Sequence, residues 1–308
     1  MIYTVSFNPA LDYVVFVDDF SLHKMNKIRR EELQLGGKAV NVSIVLSRLH
    51  VPTTVLGFVA GFTGGLIENM LTEESVATDF IHCEDGMSRI NIKLKYDGET
   101  EMDAKGPDIS DKALSELFMR LGSIQDGDTL VLAGTVPECL PRNIYEQILE
   151  YVSAKKIQTV VVAHKDLLIS CLPYKPFLIK PNLDELSDIF GDRPTTKEEV
   201  AAYAESLKDM GARNVLVSMA DKGSMLICED GKNYYCEACK GKVINSVGAG
   251  DSLLAGFLAG TIDKDVNYDY ALMLGNAAGA ATAFSDGLGD ENTIMQMMVE
   301  QLEKHGKQ

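Results

Sequence analysis

Residues 245–252 read Asn-Ser-Val-Gly-Ala-Gly-Asp-Ser and lead directly into a helix-like apolar run, Leu253–Thr261. The two glycines on either side of Ala249 free the backbone to turn its amides inward. These amides, with the positive end of the following helix, predict a pocket for the negative charge that builds on a transferring phosphoryl group. The segment therefore indicates phosphoryl transfer, with Gly248, Ala249 and Gly250 as the anion-binding residues.

Asp251 comes directly after this glycine pair, so its carboxylate can face the same pocket. There it is a candidate general base, which withdraws a hydroxyl proton while the pocket holds the phosphate. An aspartate at a helix start can also serve only as a cap. The longer string, continued by Ala255-Gly256-Phe257, favours the catalytic interpretation.

A second glycine pair occurs in the segment Gly36-Gly37-Lys38-Ala39-Val40-Asn41, which opens a predicted helix. A P-loop does not fit, because its first glycine would fall at Glu32 and its magnesium-holding hydroxyl at Ala39. A sugar site fits better. In this interpretation the glycine amides, Lys38 and Asn41 line the pocket for a sugar.

The elements that must position these residues follow an alternating pattern. Short apolar runs rich in β-branched residues are typical of strands buried on both faces of a parallel sheet, and they occupy Thr129–Ala133, Thr159–Ala163, Phe177–Ile179 and Asn214–Ser218. Helix-period stretches lie between them, at Ser110–Leu121, Pro141–Lys155 and Thr196–Met210. The sequence predicts an α/β fold with a doubly wound, mostly parallel sheet flanked by helices.

Two segments interrupt this alternation, at about residues 12–35 and 87–107. In the second, apolar and polar residues alternate over residues 90–95, as in a half-exposed strand. We expect the two segments to form a small antiparallel β-sheet, which acts as a lid on a single domain spanning residues 1–308. The apolar alternating face of the lid predicts a homodimer formed through it.

The charge balance restricts the partners. The chain has 29 basic and 45 acidic residues, a formal net charge of −16, which argues against binding to nucleic acid or to an anionic membrane. No run approaches 18 consecutive apolar residues, and the first residues lack the order of a signal peptide. We therefore expect a cytoplasmic protein whose anionic small-molecule substrate is held by a local basic pocket.

Five segments, taken in order, resemble the phosphofructokinase-B, or ribokinase-like, carbohydrate kinase family. They are Thr4–Asp12, Gly36–Asn41, Gly57–Gly64, Lys180–Asn182 with Glu185, and Asn245–Ser252. The resemblance covers nearly the whole chain. It implies a ribokinase-like fold and a kinase that uses ATP and Mg²⁺.

Within the family, residues 7–12, 57–64 and 88–91 resemble the 1-phosphofructokinase branch most. This resemblance implies in-line phosphorylation of fructose 1-phosphate to fructose 1,6-bisphosphate. The tagatose-6-phosphate kinases are a close sister group and remain an alternative. A sugar-phosphate sensor that has lost catalysis is an alternative of another class, since Ala39 and Ala220 stand where the family usually has glycine.

The resemblance also assigns a substrate side to the site. It implies that Asp12 accepts hydrogen bonds from sugar hydroxyls and that Lys38, Arg89 and Lys105 neutralise the phosphate of the substrate. The full set of expected substrate-binding residues is Asp12, Gly36, Gly37, Lys38, Asn41, Arg89, Asn91 and Lys105.

On the nucleotide side, the resemblance implies that Lys180 contacts the phosphates of ATP. Asn182 and Glu185 would hold Mg²⁺ through water, although Asn-x-x-Glu is also the pattern of a helix capping box. The expected nucleotide-binding residues are Lys180, Asn182, Ser218, Ala220, Gly223, Val247, Gly248, Gly250 and Asn276.

Three positions depart from the family pattern: Ala39, Ala220, and Ala163-His164, where an acidic residue commonly ends the strand. A methyl group at a position that needs positive φ would be strained. Either the backbone at these alanines is ordinary, or activity is reduced or shifted to another sugar. A lone histidine at a strand end is typical of a polar edge residue, so no role is assigned to His164.

Overall fold

Residues 1–262 and 266–305 are described by the computed structural model. In chain order the strands are β1 (Ile2–Ser6), β2 (Ala10–Phe16), β3 (Arg30–Gly36), β4 (Thr53–Ala60), β5 (Ala77–Cys83), β6 (Arg89–Tyr96), β7 (Gly98–Met102), β8 (Thr129–Ala133), β9 (Gln158–Val162), β10 (Leu178–Ile179), β11 (Asn214–Ser218), β12 (Ser224–Ile227) and β13 (Asn233–Cys236). The four predicted strands of the sheet core are all present. Two have the predicted bounds, and β9 and β10 differ by one residue at their ends.

The large sheet has nine strands in the order β13-β12-β11-β10-β9-β8-β1-β4-β5. All pairings from β5 to β11 are parallel, and β12 and β13 add an antiparallel edge. The chain builds outward from β1 in both directions, which confirms the prediction of a doubly wound, mostly parallel sheet. Ligands of such sheets bind beyond the carboxyl ends of the strands.

Helices cover both faces of this sheet. They are α1 (Lys38–Arg48), α2 (Gly61–Glu73), α3 (Asp111–Gly122), α4 (Ile144–Val152), α5 (Lys165–Cys171), α6 (Leu183–Phe190), α7 (Lys197–Asp209), α8 (Ala249–Gly260), α9 (Tyr268–Ala283) and α10 (Glu291–His305). Alternate strand residues face two separate apolar cores: Leu132 and Val161 lie in the one with α3 to α7, and Val131 and Val160 in the one with α1 and α8 to α10. None of the helices in the described part of the chain is long and apolar enough to cross a membrane.

Several helix bounds differ from the prediction. The stretch predicted over residues 141–155 is helical only over α4, and α8 begins at Ala249, not Leu253. The helix α7 begins where predicted, because Thr196 and Glu199 form a reciprocal capping box. The early start of α8 matters most for the site, since it places Asp251 inside the first helical turn.

Strands β2, β3, β6 and β7 form a second sheet in the order β3-β2-β6-β7, which we call the lid. The expectation that this sheet is antiparallel is wrong for its central pair: β2 and β6 run parallel, while β2–β3 and β6–β7 are antiparallel. Alternation along one segment determines which side chains share a face, but it does not determine the direction of the partner strand. The lid is therefore a mixed sheet.

The two faces of the lid differ in character. Asp12 lies opposite Gln34 and Asn91 in the strand register, so these polar residues share one face. Tyr13 lies opposite Leu33 and Ile92, and these residues share the other face. The polar face borders the smaller of the two cavities described below.

Candidate active site

The loop before α8 places Gly248 at the N-cap with φ of 79°, in the left-handed region that favours glycine. A Cβ atom at Gly248 would lie 2.7 Å from Leu288 Cδ2, so the loop also lacks room for a side chain there. The first bond of α8 runs from the Ser252 amide to the Gly248 carbonyl at 2.8 Å. The amides of Gly250 and Asp251 precede this bond and form the anion-attracting end of the helix.

The predicted contribution of the Ala249 amide is reduced by the loop itself. This amide donates to the Ser246 carbonyl at 3.3 Å. The anion pocket therefore rests mainly on Gly250 and Asp251 as donors. The glycine at position 250 also allows a close approach, because a Cβ atom there would lie 3.2 Å from Lys180 Nζ.

Asp251 is 8% exposed and its Oδ2 accepts a hydrogen bond from Asn41 Nδ2 at 2.9 Å. The N-cap position belongs to Gly248, so Asp251 is not the cap residue of α8. Burial raises the pKa of the Asp251 carboxyl above its ordinary value, and the bond from Asn41 and the charge of Lys180 oppose this increase. Such a carboxylate is a stronger base than an exposed aspartate.

Lys180 directly follows β10 and is 6% exposed. Burial lowers the pKa of its ammonium, while the charges of Asp251 and Glu185 favour the charged form. The buried lysine thus lies beside two carboxylates of the same site. This arrangement suits a group that meets the negative charge of phosphates.

Asn182 and Glu185 form the capping box of α6: Asn182 Oδ1 accepts from the Glu185 amide at 2.8 Å, and Glu185 Oε2 accepts from the Asn182 amide at 2.9 Å. Glu185 is buried. Burial opposes its ionisation, but the hydrogen bond from His164 and the charge of Lys180 hold the pKa of Glu185 below its usual range. The carboxylate is therefore charged at neutral pH.

The residues around Glu185 fit a magnesium ion held through water better than one held directly. Oε1 contacts His164 and Oε2 contacts the Asn182 amide, so each oxygen already has a protein partner. No group of three or more His, Cys, Asp or Glu that could hold a metal occurs within residues 1–262 and 266–305. An ion at this position would depend on water and on ligand phosphates for most of its coordination, as Mg²⁺ commonly does.

His164 makes two contacts that the sequence did not predict. Its Nε2 lies 3.2 Å from Lys38 Nζ, and its Nδ1 lies 3.1 Å from Glu185 Oε1. Lys38 lies at the start of α1, His164 at the N-cap of α5 and Glu185 in the first turn of α6. In the sequence, the feature that could have drawn attention to His164 was the absence of the acidic residue that commonly ends this strand in the family.

Asp12 lies on the polar face of the lid and is 7% exposed. Its Oδ1 accepts a hydrogen bond from Asn91 Nδ2 at 2.9 Å, and its Oδ2 pairs with Lys93 Nζ at 3.1 Å. A Cβ atom at Gly36 would lie 2.6 Å from Asp12 Oδ1, so glycine leaves the space that the carboxylate occupies. The lid thus fixes both oxygens of Asp12.

Lys93 was missing from the predicted site, although it is 8% exposed and faces Asp12. The signal was present in the alternation of residues 90–95, which places Lys93 on the same face as Asn91. Its two carboxylate neighbours are Asp12 and, at 3.8 Å, Glu101.

Arg89 and Lys105 lie apart from this group. Arg89 Nε donates to the Asn8 carbonyl at 3.1 Å, and its Nη1 lies 3.8 Å from Asp103. Lys105 is exposed and its Nζ pairs with Asp108 at 2.9 Å. The structure thus places Arg89 at the first residue of the central strand β6 and turns the Lys105 ammonium toward Asp108, not toward Asp12.

Two cavities meet at the loop before α8. The smaller has a volume of about 230 Å³, and its lining includes Asp12, Asn41, Lys93, Asn245, Val247 and Leu288. The larger has a volume of about 600 Å³, and its lining includes Lys180, Asn182, Ser218, Ala220, Gly223, Ser246, Gly250 and Asn276. The residues predicted for the nucleotide thus line one cavity, except that Val247 lines the other and Gly248 lies in the loop between the two.

The remaining predicted positions have distinct surroundings. Asn276 Nδ2 donates to the Glu237 carbonyl at 2.6 Å, and its Oδ1 accepts from Ser224 Oγ at 3.3 Å. Ala220 has φ of 51°, whereas Ala39 lies inside α1 and is fully buried with an ordinary backbone. Of the two alanines, only Ala220 carries the strain expected where glycine is replaced.

Comparison with known proteins places the chain among carbohydrate kinases. Residues 5–294 match the sequence profile of the pfkB family carbohydrate kinases. A 1-phosphofructokinase of Bacillus subtilis (strain 168) is 43% identical over 97% of this chain and 98% of its own length. A D-tagatose-1-phosphate kinase of Bacillus licheniformis is 37% identical over 96% and 97%, respectively.

The fold of the chain is also similar to the folds of solved structures. Phosphofructokinase-2 from Escherichia coli, crystallised with substrates and products, superposes with a TM-score of 0.90 over 98% of this chain and 99% of its own, at 21% identity. This similarity confirms the expected fold. Together with the match over nearly the whole length, these findings show that the chain belongs to the pfkB family of carbohydrate kinases.

Proposed function

We propose that this chain transfers the terminal phosphoryl group of ATP to C6 of fructose 1-phosphate and so forms fructose 1,6-bisphosphate. The observation that carries the proposal is the position of Asp251, a buried carboxylate with raised pKa that is bonded to Asn41 of the smaller cavity and directly follows Gly250 of the larger one. The identity of 43% with a 1-phosphofructokinase supports this choice of sugar.

The smaller cavity would take the ketose phosphate. Asp12 would accept hydrogen bonds from sugar hydroxyls, with its orientation fixed by Asn91 and Lys93. Asn41 lines the same cavity and contacts Asp251, so it would place the acceptor hydroxyl beside the base. Gly36, which leaves room for the Asp12 carboxylate, and Gly37 would let the sugar approach the backbone at the start of α1.

The larger cavity would take ATP. Its lining includes apolar residues of α8 and α9, Leu253 and Ala280, and Phe284 directly after α9, which suit the flat apolar surface of adenine. Lys180 would meet the phosphates at the end of the cavity nearest Asp251. Glu185, with Asn182, would hold Mg²⁺ through water, and the bound ion would supply positive charge that offsets the phosphate oxygens.

In the transfer itself, Asp251 would take the proton of the C6 hydroxyl as the oxygen attacks the phosphorus. The amides of Gly250 and Asp251, with Lys180, would stabilise the negative charge on the transferred group. The proton ends on the Asp251 carboxylate and ADP leaves, so no covalent intermediate with the protein is formed. Closure of the lid would exclude water from the reacting phosphate.

A second candidate substrate is D-tagatose 1-phosphate, because a kinase named for it is 37% identical to this chain. Tagatose differs from fructose in the configuration at one carbon, so both 1-phosphates present the same end to the pocket. Tagatose 6-phosphate, with its phosphate at the opposite end, is the third candidate. A homodimer and a cytoplasmic location remain predictions from the sequence.

Steady-state kinetics with ATP, Mg²⁺ and each of these ketose phosphates would test the proposal. We expect kcat/KM to be highest for fructose 1-phosphate. ³¹P NMR of the product should show the new phosphate at C6. A preference for tagatose 6-phosphate would contradict the proposed acceptor. Binding of a ketose phosphate without turnover would instead support the sensor alternative.

A further inference from the structure

His164 joins the two halves of the site through its ring. It follows β9 and occupies the N-cap of α5, with φ of −90° and ψ of 143°, yet its side chain makes no capping hydrogen bond to that helix. Both ring nitrogens instead contact charged groups of other elements: Lys38 Nζ at 3.2 Å and Glu185 Oε1 at 3.1 Å. The local structure of α5 therefore does not explain the ring position.

The chemistry of the two partners fixes the form of the ring. A lysine ammonium has three donors and no acceptor, so Nε2 must accept the hydrogen bond from Lys38. An ionised carboxylate only accepts, so Nδ1 must carry the proton that it donates to Glu185. The contacts thus require a neutral histidine with its proton on Nδ1.

Lys38 is close to the groups that act on the phosphate. Its charge favours the ionised form of Asp251 and of Glu185 and opposes that of Lys180, so it lies within electrostatic reach of all three. A long flexible side chain at this position would lose much of its effect if it could turn to solvent. The ring of His164 gives it one fixed partner.

We propose that His164 is a positioning residue for phosphoryl transfer, which holds the Lys38 ammonium at the start of α1 and the Glu185 carboxylate in the first turn of α6 in a fixed relation to each other. The inference rests on the proposed kinase function. A neutral ring suits this task, because it orients Lys38 without neutralising its charge. A carboxylate there would pair with the ammonium and add a further negative charge beside Glu185.

The first test compares turnover in His164→Leu, His164→Gln and wild type. Mutation of residues that hydrogen-bond and orient metal-binding side chains typically lowers metal affinity or activity by about 10- to 100-fold. For His164→Leu we expect kcat to fall about tenfold, at the low end of that range, while the KM for the ketose phosphate changes less than about twofold. His164→Gln should recover most of the loss, because its amide offers an acceptor oxygen for Lys38 and a donor NH₂ group for Glu185.

The matched control is His82→Leu. His82 is also a largely exposed histidine beside a glutamate, with Nε2 at 3.3 Å from Glu68 Oε1, but it lies on β5 outside both cavities. We expect its kinetics to equal those of wild type. An equal loss of kcat in His82→Leu and His164→Leu would overturn the proposal.

A double-mutant cycle tests whether His164 acts through Lys38. If it does, adding His164→Leu to Lys38→Met should lower kcat much less than it does in wild type, since residues that share one interaction are not additive. A full additional loss would refute the role through Lys38. Wild-type turnover is measured first, so that failure of the kinase function is recognised separately.

A second readout does not need turnover. In protein labelled with ¹⁵N-histidine, the signals absent from His164→Leu identify the ring nitrogens of His164. At pH 8 without ligands we expect Nδ1 to be protonated and Nε2 to be unprotonated. A ring with its proton on Nε2 could not accept from Lys38 and would overturn the inference, whatever the enzyme phosphorylates.

Discussion

Asn41 Nδ2 donates a hydrogen bond to Asp251 Oδ2 at 2.9 Å, across a separation of 210 residues in the chain. Asn41 lies in α1 and lines the smaller cavity, whereas Asp251 lies in the first turn of α8. The bond connects the proposed sugar pocket to the proposed base. It also limits the increase that burial causes in the pKa of Asp251.

The role of Asp251 as base predicts the effect of Asp251→Asn on turnover. The amide keeps the shape and the contact with Asn41 but cannot take a proton, so kcat should fall by about 10²- to 10⁴-fold, the usual contribution of general base catalysis. A coupled assay for ADP measures the loss. Asp209→Asn, at the exposed C-terminal end of α7, serves as the control, and turnover within threefold of wild type in Asp251→Asn would exclude Asp251 as the base.

The raised pKa of Asp251 predicts how the stability of the same variant depends on pH. Because the folded state binds this proton more tightly than the unfolded chain, whose aspartate has a pKa of about 3.9, the stabilising contribution of Asp251 is fully present below that pH. It is lost as the pH rises through the folded-state pKa. Asn resembles the protonated form, so Asp251→Asn should be more stable than wild type at pH 7.

Urea unfolding at pH 4, 5.5 and 7 tests this prediction. The stability advantage of Asp251→Asn should grow with pH, by about 1.4 kcal/mol for each unit by which the pKa is raised. Asp209→Asn should show no such trend, since Asp209 is exposed. A destabilised Asp251→Asn at pH 7 would mean that the pairing with Lys180 outweighs the burial of the carboxylate.

The ion pair between Lys93 and Asp12 predicts that loss of Lys93 weakens the binding of the sugar substrate but not of ATP. Lys93→Met removes the partner of Asp12 Oδ2 and leaves that carboxylate free to turn, so the KM for the ketose phosphate should rise about tenfold, within the range for a hydrogen bond to a charged group. The KM for ATP should stay the same. Lys112→Met is the control, because Lys112 also pairs with a carboxylate, Glu84 at 3.2 Å, but lines neither cavity. An equal rise in KM in both variants would contradict the role of Lys93.

Ala220 and Ala39 should respond in opposite ways to glycine. Ala220 has φ of 51°, where an alanine costs about 1–2 kcal/mol, so Ala220→Gly should stabilise the protein by up to about 1 kcal/mol after the entropy cost of glycine. Ala39 is buried inside α1, so Ala39→Gly should destabilise it by about 1–2 kcal/mol. Denaturant midpoints measure both changes, and the same sign in both would contradict this account.

The apolar face of the lid predicts self-association. Leu33, Tyr13, Ile92 and Met102 form one row across all four strands, and three of them are exposed: Leu33 by 42%, Ile92 by 38% and Met102 by 51%. Covering such a row would remove apolar surface from water. Light scattering should give a dimer for wild type and a monomer for Ile92→Asp, while Lys95→Asp on the polar face should remain dimeric; a wild-type monomer would refute the prediction.

Local sequence is sufficient for much of the fold. An apolar β-branched run predicts the strand Asn214–Ser218, and the capping box at Thr196 predicts the start of α7. Both features depend on interactions within a few residues, which the sequence displays directly. The glycine-rich string around Asp251 likewise indicates phosphoryl transfer through its local pattern alone.

These local patterns do not predict which distant segments of the chain come into contact. Alternation places Lys93 on a face, but only the parallel pairing of β2 with β6 brings it to Asp12. His164 had no predicted role, because its partners Lys38 and Glu185 lie on other elements. The prediction of a fully antiparallel lid failed for the same reason, since strand direction is a relation between two segments.

The sequence by itself determined the alternation of strands and helices, the glycine loop and the family of the chain. The tertiary structure decided which charges meet, namely Asn41 with Asp251, Lys93 with Asp12, and His164 with Lys38 and Glu185. The physical reason is range: propensities and caps act over a few residues, whereas an ion pair or hydrogen bond depends on distances that only the packed chain fixes.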